Sequence, residues 1–210
     1  FDGIGALLYA VSMLTLMYGL STITDAGSVF LAGFGLILFA VFVWYELRST
    51  HPLLHVRLFF ENKRFARSSY AALLNYAAVY AVTYMVSLYL QSVGQLNAAE
   101  AGMIMLFQPL IQVVATPVAG KISDKVDAKY LVTGGMILTI VGLLFLSGLG
   151  LSMTNVAGYI MVTQVFIALG AALFSAPNTS TIMGSVAPAE YSMASSVVSV
   201  VRQAGMLISM

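Results

Sequence analysis

The chain has 210 residues, of which 60% are apolar and only 8% charged, with a net charge of +1 and no cysteine. A soluble domain carries about 25% charged residues. A chain this poor in charge, with a mean hydropathy of +0.95, cannot cover a water-facing surface, so a soluble domain, a disordered chain and a disulfide-stapled module are excluded. The small net charge provides no global field to attract nucleic acid. The lack of cysteine removes thiolate metal sites and cysteine nucleophiles.

A spanning helix needs about 20 mostly apolar residues. Six such runs are predicted in chain order: Gly3 to Leu20, Ser28 to Leu47, Arg67 to Ser92, Glu100 to Gly120, Tyr130 to Leu149 and Val156 to Met183. A seventh starts near Ser192 and is cut short by the end of the sequence. These runs are too long for the strands of a membrane barrel, and lipid requires each segment to satisfy its own backbone hydrogen bonds. The predicted fold class is therefore all-α, a polytopic helical membrane protein with six complete transmembrane helices and a truncated seventh. The chain opens at Phe1 without a methionine and closes at Met210 inside an apolar run, so a fragment of a longer protein is expected.

Charge sets the orientation. Arg48, Arg57, Lys63, Arg64 and Arg67 lie in or beside the loop after the second run, Lys121, Lys125 and Lys129 lie after the fourth, and Arg202 lies inside the seventh. The loops around Asp25, Gln95 and Ser152 hold no basic residue. The positive-inside rule places both basic loops in the cytoplasm, and the alternation agrees with six crossings. The first basic loop, RSTHPLLHVRLFFENKRFAR, alternates Leu53, Leu54, Val56, Leu58, Phe59 and Phe60 with polar residues, and Pro52 suits a first helical turn. It reads either as a helix lying in the lipid interface or as a connector whose charges fix topology. His51 and His55, four apart with no third ligand nearby, read as solvated.

The second basic loop, GKISDKVDAK, resembles the G-x-x-x-D-[RK]-x-G-x-[KR] loop of the major facilitator superfamily. Gly120, Asp124, Lys125 and Lys129 match it, and Asp127 stands where the pattern has glycine. On that resemblance the loop is a cytoplasmic gating element; a charged turn that fixes topology is the other reading. Gly120 is expected to let two helix ends approach, and Asp124 to start the next helix at its positive dipole end or to pair with a cation. Asp127 in place of glycine is expected to weaken the tight turn, although aspartate tolerates a left-handed backbone better than most residues.

Further pieces fall in the order of one branch of that superfamily, the fourteen-spanner drug/proton antiporters of the EmrB/QacA type. They are FDGIGALL, HPLLHVRLFFENKRF, YLQSVGQLNAAEAG with Pro109 and Pro117 after it, and APNTSTIMGSVAPAEYSMASSVVSVVRQAG. The resemblance implies two central linker helices over 1–47, a cytoplasmic amphipathic loop over 48–66 and an incomplete C-terminal transporter half over 67–210. It also implies a missing N-terminal half as partner, a prokaryotic cell membrane as location, no bound cofactor and a proton gradient as energy source. The function it implies is export of apolar or cationic small molecules by alternating access.

Polar residues inside the spans are the site candidates. Tyr76, Tyr80 and Tyr84 recur every four residues on one stripe, with Thr83, Ser87 and Gln91 on the polar side. The stripe suits a substrate cavity that stacks on aromatic solutes and cations, or helix packing with each hydroxyl bonded to a neighbour. Gln108 and Gln112, with Thr116 after them and Pro109 and Pro117 in the same helix, suit a bent pore helix or interhelical hydrogen bonds. Ala168, Ala172 and Ala176 read as a close helix seam, and Gln164 and Asn178 as further cavity residues.

Arg202 is a costly intramembrane cation with no evident partner, and the resemblance supports an Arg202–Gln203 pair. No span carries a carboxylate at its middle, since Glu46, Glu100 and Asp25 fall at ends or in loops. No proton-carrying acid is therefore assigned. An enzyme is disfavoured, because no HExxH, no Walker A loop and no span histidine appears. The alternative function is a non-transporting scaffold or a split-transporter subunit.

Overall fold

Every long apolar run forms a helix in the computed structural model, which describes residues 2–22, 26–49, 57–150 and 155–209. The helices are α1 (Gly3–Ser21), α2 (Ala26–Arg48), α3 (Leu58–Glu61), α4 (Lys63–Ser92), α5 (Ala98–Met105), α6 (Phe107–Ser123), α7 (Ala128–Ser147), α8 (Val156–Met183) and α9 (Tyr191–Ser209). Among the described residues, six stretches are long and apolar enough to cross a membrane, with α5 and α6 counted together as Ala98–Ser123. The all-α membrane fold expected from the sequence is the one observed. His51, Pro52, Leu53, Leu54, His55 and Val56 lie outside the described residues, as do Asp25 and Ser152.

Two boundaries differ from expectation for clear reasons. Helix α4 starts four residues early, because Asn62 caps it: its Oδ1 accepts from the Arg64 and Phe65 N–H groups, both at 3.1 Å. The fourth run is two helices rather than one, broken at Leu106. Pro109 has no N–H, and its ring crowds the carbonyl four residues earlier, that of Met105, where α5 stops.

Contacts divide the chain into two units, Phe1–Ala77 with Ile182–Met210, and Ala78–Thr181. In the first, α1 and α2 run antiparallel with their backbones touching. A Cβ on Gly19 would lie 2.5 Å from the Ala32 nitrogen, and one on Gly35 would lie 2.8 Å from the Leu16 nitrogen. Lipid supplies no hydrophobic drive between helices, so close packing at small residues holds such a pair. Asp2 caps α1, accepting from the Gly5 N–H at 2.9 Å. At the end of α2 the Arg48 guanidinium lies 4.3 Å over the Trp44 ring, and Arg57 donates to the Leu47 carbonyl at 3.2 Å.

The short α3 buries Leu58 and sets Phe59 edge-on to Phe65 at 5.3 Å, while Phe60 is 76% exposed. Asn62 Nδ2 donates to the Ser185 carbonyl, which ties the α3–α4 joint to the turn before α9. Helix α9 buries Ala194, Val197, Val198, Val201 and Gly205 on one face. Its other face exposes Ser195, Ser199, Arg202 and Gln203.

In the second unit α7 crosses α8 at glycines. A Cβ on Gly135 would lie 2.7 Å from the Gly170 carbonyl oxygen, and one on Gly142 would lie 2.7 Å from Ile167 Cγ1. Ala168 and Ala172 are fully buried and Ala176 is half-buried. The closest approach is therefore made by Gly170, between the alanines expected to form the seam.

The turn from α4 to α5 is tightly specified. Gln95 adopts φ 53°, and the Leu96 N–H reaches back to the Leu90 carbonyl at 3.1 Å, closing the end of α4. Asn97 then opens α5 with a capping box: its side chain accepts from the Glu100 N–H at 2.9 Å and its own N–H donates to Glu100 Oε2 at 3.0 Å. Behind this turn Val86, Leu90, Ala101, Ile104 and Ile160 form a core.

Candidate functional site

The α6–α7 loop departs from two expectations. Asp124 does not start α7; it is the C-cap of α6 with right-handed backbone, at the negative end of that helix. The position before α7 belongs to Asp127, whose φ of −56° and ψ of 126° require no left-handed conformation. Aspartate in place of glycine there introduces no strain and puts a negative charge at the positive end of α7. Gly120 makes no close approach, since a Cβ there would meet nothing within 4 Å. The turn closes instead through the Lys125 and Val126 N–H groups on the Ile122 carbonyl. Asp124, Lys125 and Lys129 are all exposed.

Of the residues expected to line a cavity, the second unit brings together Gln108 and Gln164. They share a small pocket of about 20 Å³ with Thr83, Met105 and Thr163. Gln164 is 4% exposed, and its Oε1 has no hydrogen-bond partner among the described residues. Thr163, buried beside it, donates to the Ile160 carbonyl and was not singled out by the sequence. The pocket has room for a water molecule rather than a drug-sized solute. An unpaired buried acceptor costs about 1–3 kcal/mol, so the amide is placed to receive a donor. Met105, at the α5–α6 break, lines the same pocket.

The other candidates lie elsewhere. Tyr80 and Tyr84 are 40% and 67% exposed, and neither they nor Gln112 line that pocket. Thr116 donates to the Gln112 carbonyl at 2.6 Å, and Gln91 Nε2 donates to Ser87 Oγ at 3.1 Å, so these polar groups are partly satisfied within their own helices. Asn178 is buried and engaged in α8 immediately after Pro177.

Tyr76 belongs to the first unit and has a separate role. The Arg202 guanidinium carbon lies 5.1 Å from its ring centroid, a cation–π contact that supplies the partner the sequence did not reveal. The next residue, Gln203, accepts a hydrogen bond from the Tyr9 hydroxyl at 2.7 Å. Gly205 sits directly on α4, where a Cβ would lie 2.7 Å from the Leu73 carbonyl oxygen. The Arg-Gln-Ala-Gly run thus binds α9 to α4 and α1.

Two carboxylates that converge on Gly5 also escape a reading of the sequence. A Cβ on Gly5 would lie 2.7 Å from Asp2 Oδ2 and 2.8 Å from Glu46 Oε1, and the Tyr45 hydroxyl donates to Asp2 Oδ1 at 3.3 Å. Glu46 is buried although it lies in the last turn of α2.

Six stretches long and apolar enough to cross a membrane, and the buried Gln164 amide within one of them, define a polytopic integral membrane protein. Residues 1–210 match the sequence pattern of the family described as the Major Facilitator Superfamily, and the chain belongs to that family of membrane transporters. It is similar to the riboflavin transporter RibZ of Clostridioides difficile (strain 630), with 29% identity over 96% of this chain and 43% of the relative. The multidrug resistance protein B homolog of Mycobacterium tuberculosis (strain ATCC 25618 / H37Rv) is 26% identical over 98% of this chain and 39% of its own length. The lincomycin resistance protein LmrB of Listeria monocytogenes is 22% identical, over 96% and 41% respectively. The chain therefore spans less than half the length of each of these relatives.

Proposed function

We propose that this chain is part of a secondary active transporter of the fourteen-spanner EmrB/QacA type in a prokaryotic cell membrane. It exports apolar or cationic small molecules by alternating access, with the proton gradient as energy source and no bound cofactor. The observation that carries the reading is the buried Gln164 amide oxygen, without a partner among the described residues, beside Gln108 in a helical membrane unit. Polar side chains at membrane depth face protein, water or a transport pathway. Relatives named for riboflavin transport, multidrug resistance and lincomycin resistance support a small organic solute.

In this reading Gln108, Gln112, Gln164 and Asn178, with Tyr80 and Tyr84, serve the solute pathway. The loop holding Gly120, Asp124, Lys125 and Lys129 serves cytoplasmic gating as this half rocks against the other. In the full-length protein Gln164→Leu keeps the side-chain bulk and removes the amide. Export at matched membrane abundance is expected to fall roughly ten-fold, the worth of about one hydrogen bond. Unchanged export of every solute tried would remove Gln164 from the pathway.

Asp124→Asn is expected to slow export several-fold while leaving insertion and orientation intact, because acidic residues contribute little to topology. Wild-type rates in that variant would reduce the loop to a topology signal.

A further inference from the structure

Polar side chains from three elements of the second unit meet at one depth. Gln164 lies eight residues past Val156 on α8, Thr83 nine before Ser92 on α4, and Gln108 ten past Ala98 on the α5–α6 pair. At about 1.5 Å per residue, they stand about 12–15 Å from the helix ends expected to face away from the cytoplasm. That is well inside a hydrocarbon layer about 30 Å thick. Thr163, beside Gln164, is 1% exposed. All four residues line the pocket of about 20 Å³.

These groups do not satisfy one another. Gln164 Oε1 is without a partner among the described residues. Thr163 donates its hydrogen to the Ile160 carbonyl at 2.7 Å, so its oxygen can only accept. The apolar walls, Val82, Val86, Leu146 and Ile167, provide no donor. The α5–α6 break lies at the same wall. Met105 lines the pocket, and Pro109 has no N–H to give its carbonyl. A bound water needs about 10–15 Å³ and two to four polar partners, and this pocket offers both.

We propose that the pocket binds one water molecule. The water donates to Gln164 Oε1 and to the Thr163 hydroxyl oxygen, and accepts from the Gln108 amide. It thereby joins α8 to the first turn of α6. The α5 piece is held differently, by packing of Ala101 and Ile104 against Val86, Leu90 and Ile160. The two sides of the break are thus fixed by separate means, one by apolar contact and one through water. A bridging water is nearly as favourable in enthalpy as a direct bond, so α6 is held to α8 without a side-chain contact between the two amides. The site does not depend on what the protein carries.

The test is a density map of the full-length protein fine enough to resolve waters, recorded without added solute. One peak is expected within about 2.5–3.2 Å of Gln164 Oε1, Thr163 Oγ1 and the Gln108 amide, and Gln164→Leu is expected to remove it. Melting temperatures of Gln108→Leu, Gln164→Leu and the double variant provide a second measurement. A shared water couples the two positions, so the double variant is expected to melt no lower than the worse single variant. Should Gln164→Leu fail to fold, Thr163→Val, which keeps the side-chain shape, is expected to weaken the peak. A wild-type map without the peak, or with the two amides bonded directly, overturns the proposal. So do a peak undiminished in the variants, additive losses in the double variant, or replacement of the peak by an exported solute, which would make the pocket a solute site.

Discussion

Gly135→Leu is expected to abolish folded protein in the membrane, whereas Gly134→Leu, one residue away, leaves the yield near wild type. A Cβ at 135 would already lie 2.7 Å from the Gly170 carbonyl oxygen and 2.8 Å from the Phe174 nitrogen. Both obstacles are backbone atoms, so no side-chain rotation relieves the clash and α7 must move away from α8. Overpacking costs about 1–3 kcal/mol when side chains can adjust, and more when backbone must shift, against a total stability of about 5–15 kcal/mol. In lipid the lost close packing is itself the main force joining the helices. At Gly134 a Cβ meets nothing within 4 Å, and leucine improves helix propensity by up to about 1 kcal/mol. Fluorescence-detected gel filtration of the two variants reads the difference directly. Equal yields would mean that α7 and α8 do not cross at Gly135 and Gly170.

Tyr76→Leu is expected to cut export several-fold, while Tyr76→Phe stays close to wild type, because a cation–π contact at an exposed site is worth about 0.5–1 kcal/mol and a phenyl face retains most of it. Arg202 lies well inside α9. The Tyr76 ring lies 5.1 Å from its guanidinium. The neighbouring Tyr9–Gln203 hydrogen bond anchors the same helix turn independently, so the loss in Tyr76→Leu reads the arginine contact rather than detachment of α9. Export measured at matched membrane abundance checks this, and identical losses in the leucine and phenylalanine variants would show that the hydroxyl, not the ring face, matters.

The spans were legible because length and apolarity alone decide them; Val156–Met183 was read to the residue. Their interruptions were less so. Pro109 was visible, but a proline acts on the carbonyl four residues before it, so the break falls at Leu106 rather than at the proline. In the GKISDKVDAK loop two aspartates stand three apart, and the motif does not say which precedes α7. The right-handed backbone at Asp124 extends α6 and leaves that place to Asp127.

Among the candidate site residues, Gln108 and Gln164 stand out by polarity in apolar surroundings, and both line the same small pocket. Helical spacing placed Tyr76, Tyr80 and Tyr84 on one stripe, yet spacing does not say what each tyrosine faces. Tyr9 and Gln203 stand 194 positions apart, and no local pattern encodes such a pairing.

The most direct test of the account places the purified full-length protein in liposomes with an imposed pH gradient and a fluorescent lipophilic cation. The account predicts that the cation moves against its own gradient while the pH gradient discharges, and that a protonophore stops both. Cation movement at the same rate without a pH gradient, or no movement by protein shown to be folded, would contradict it.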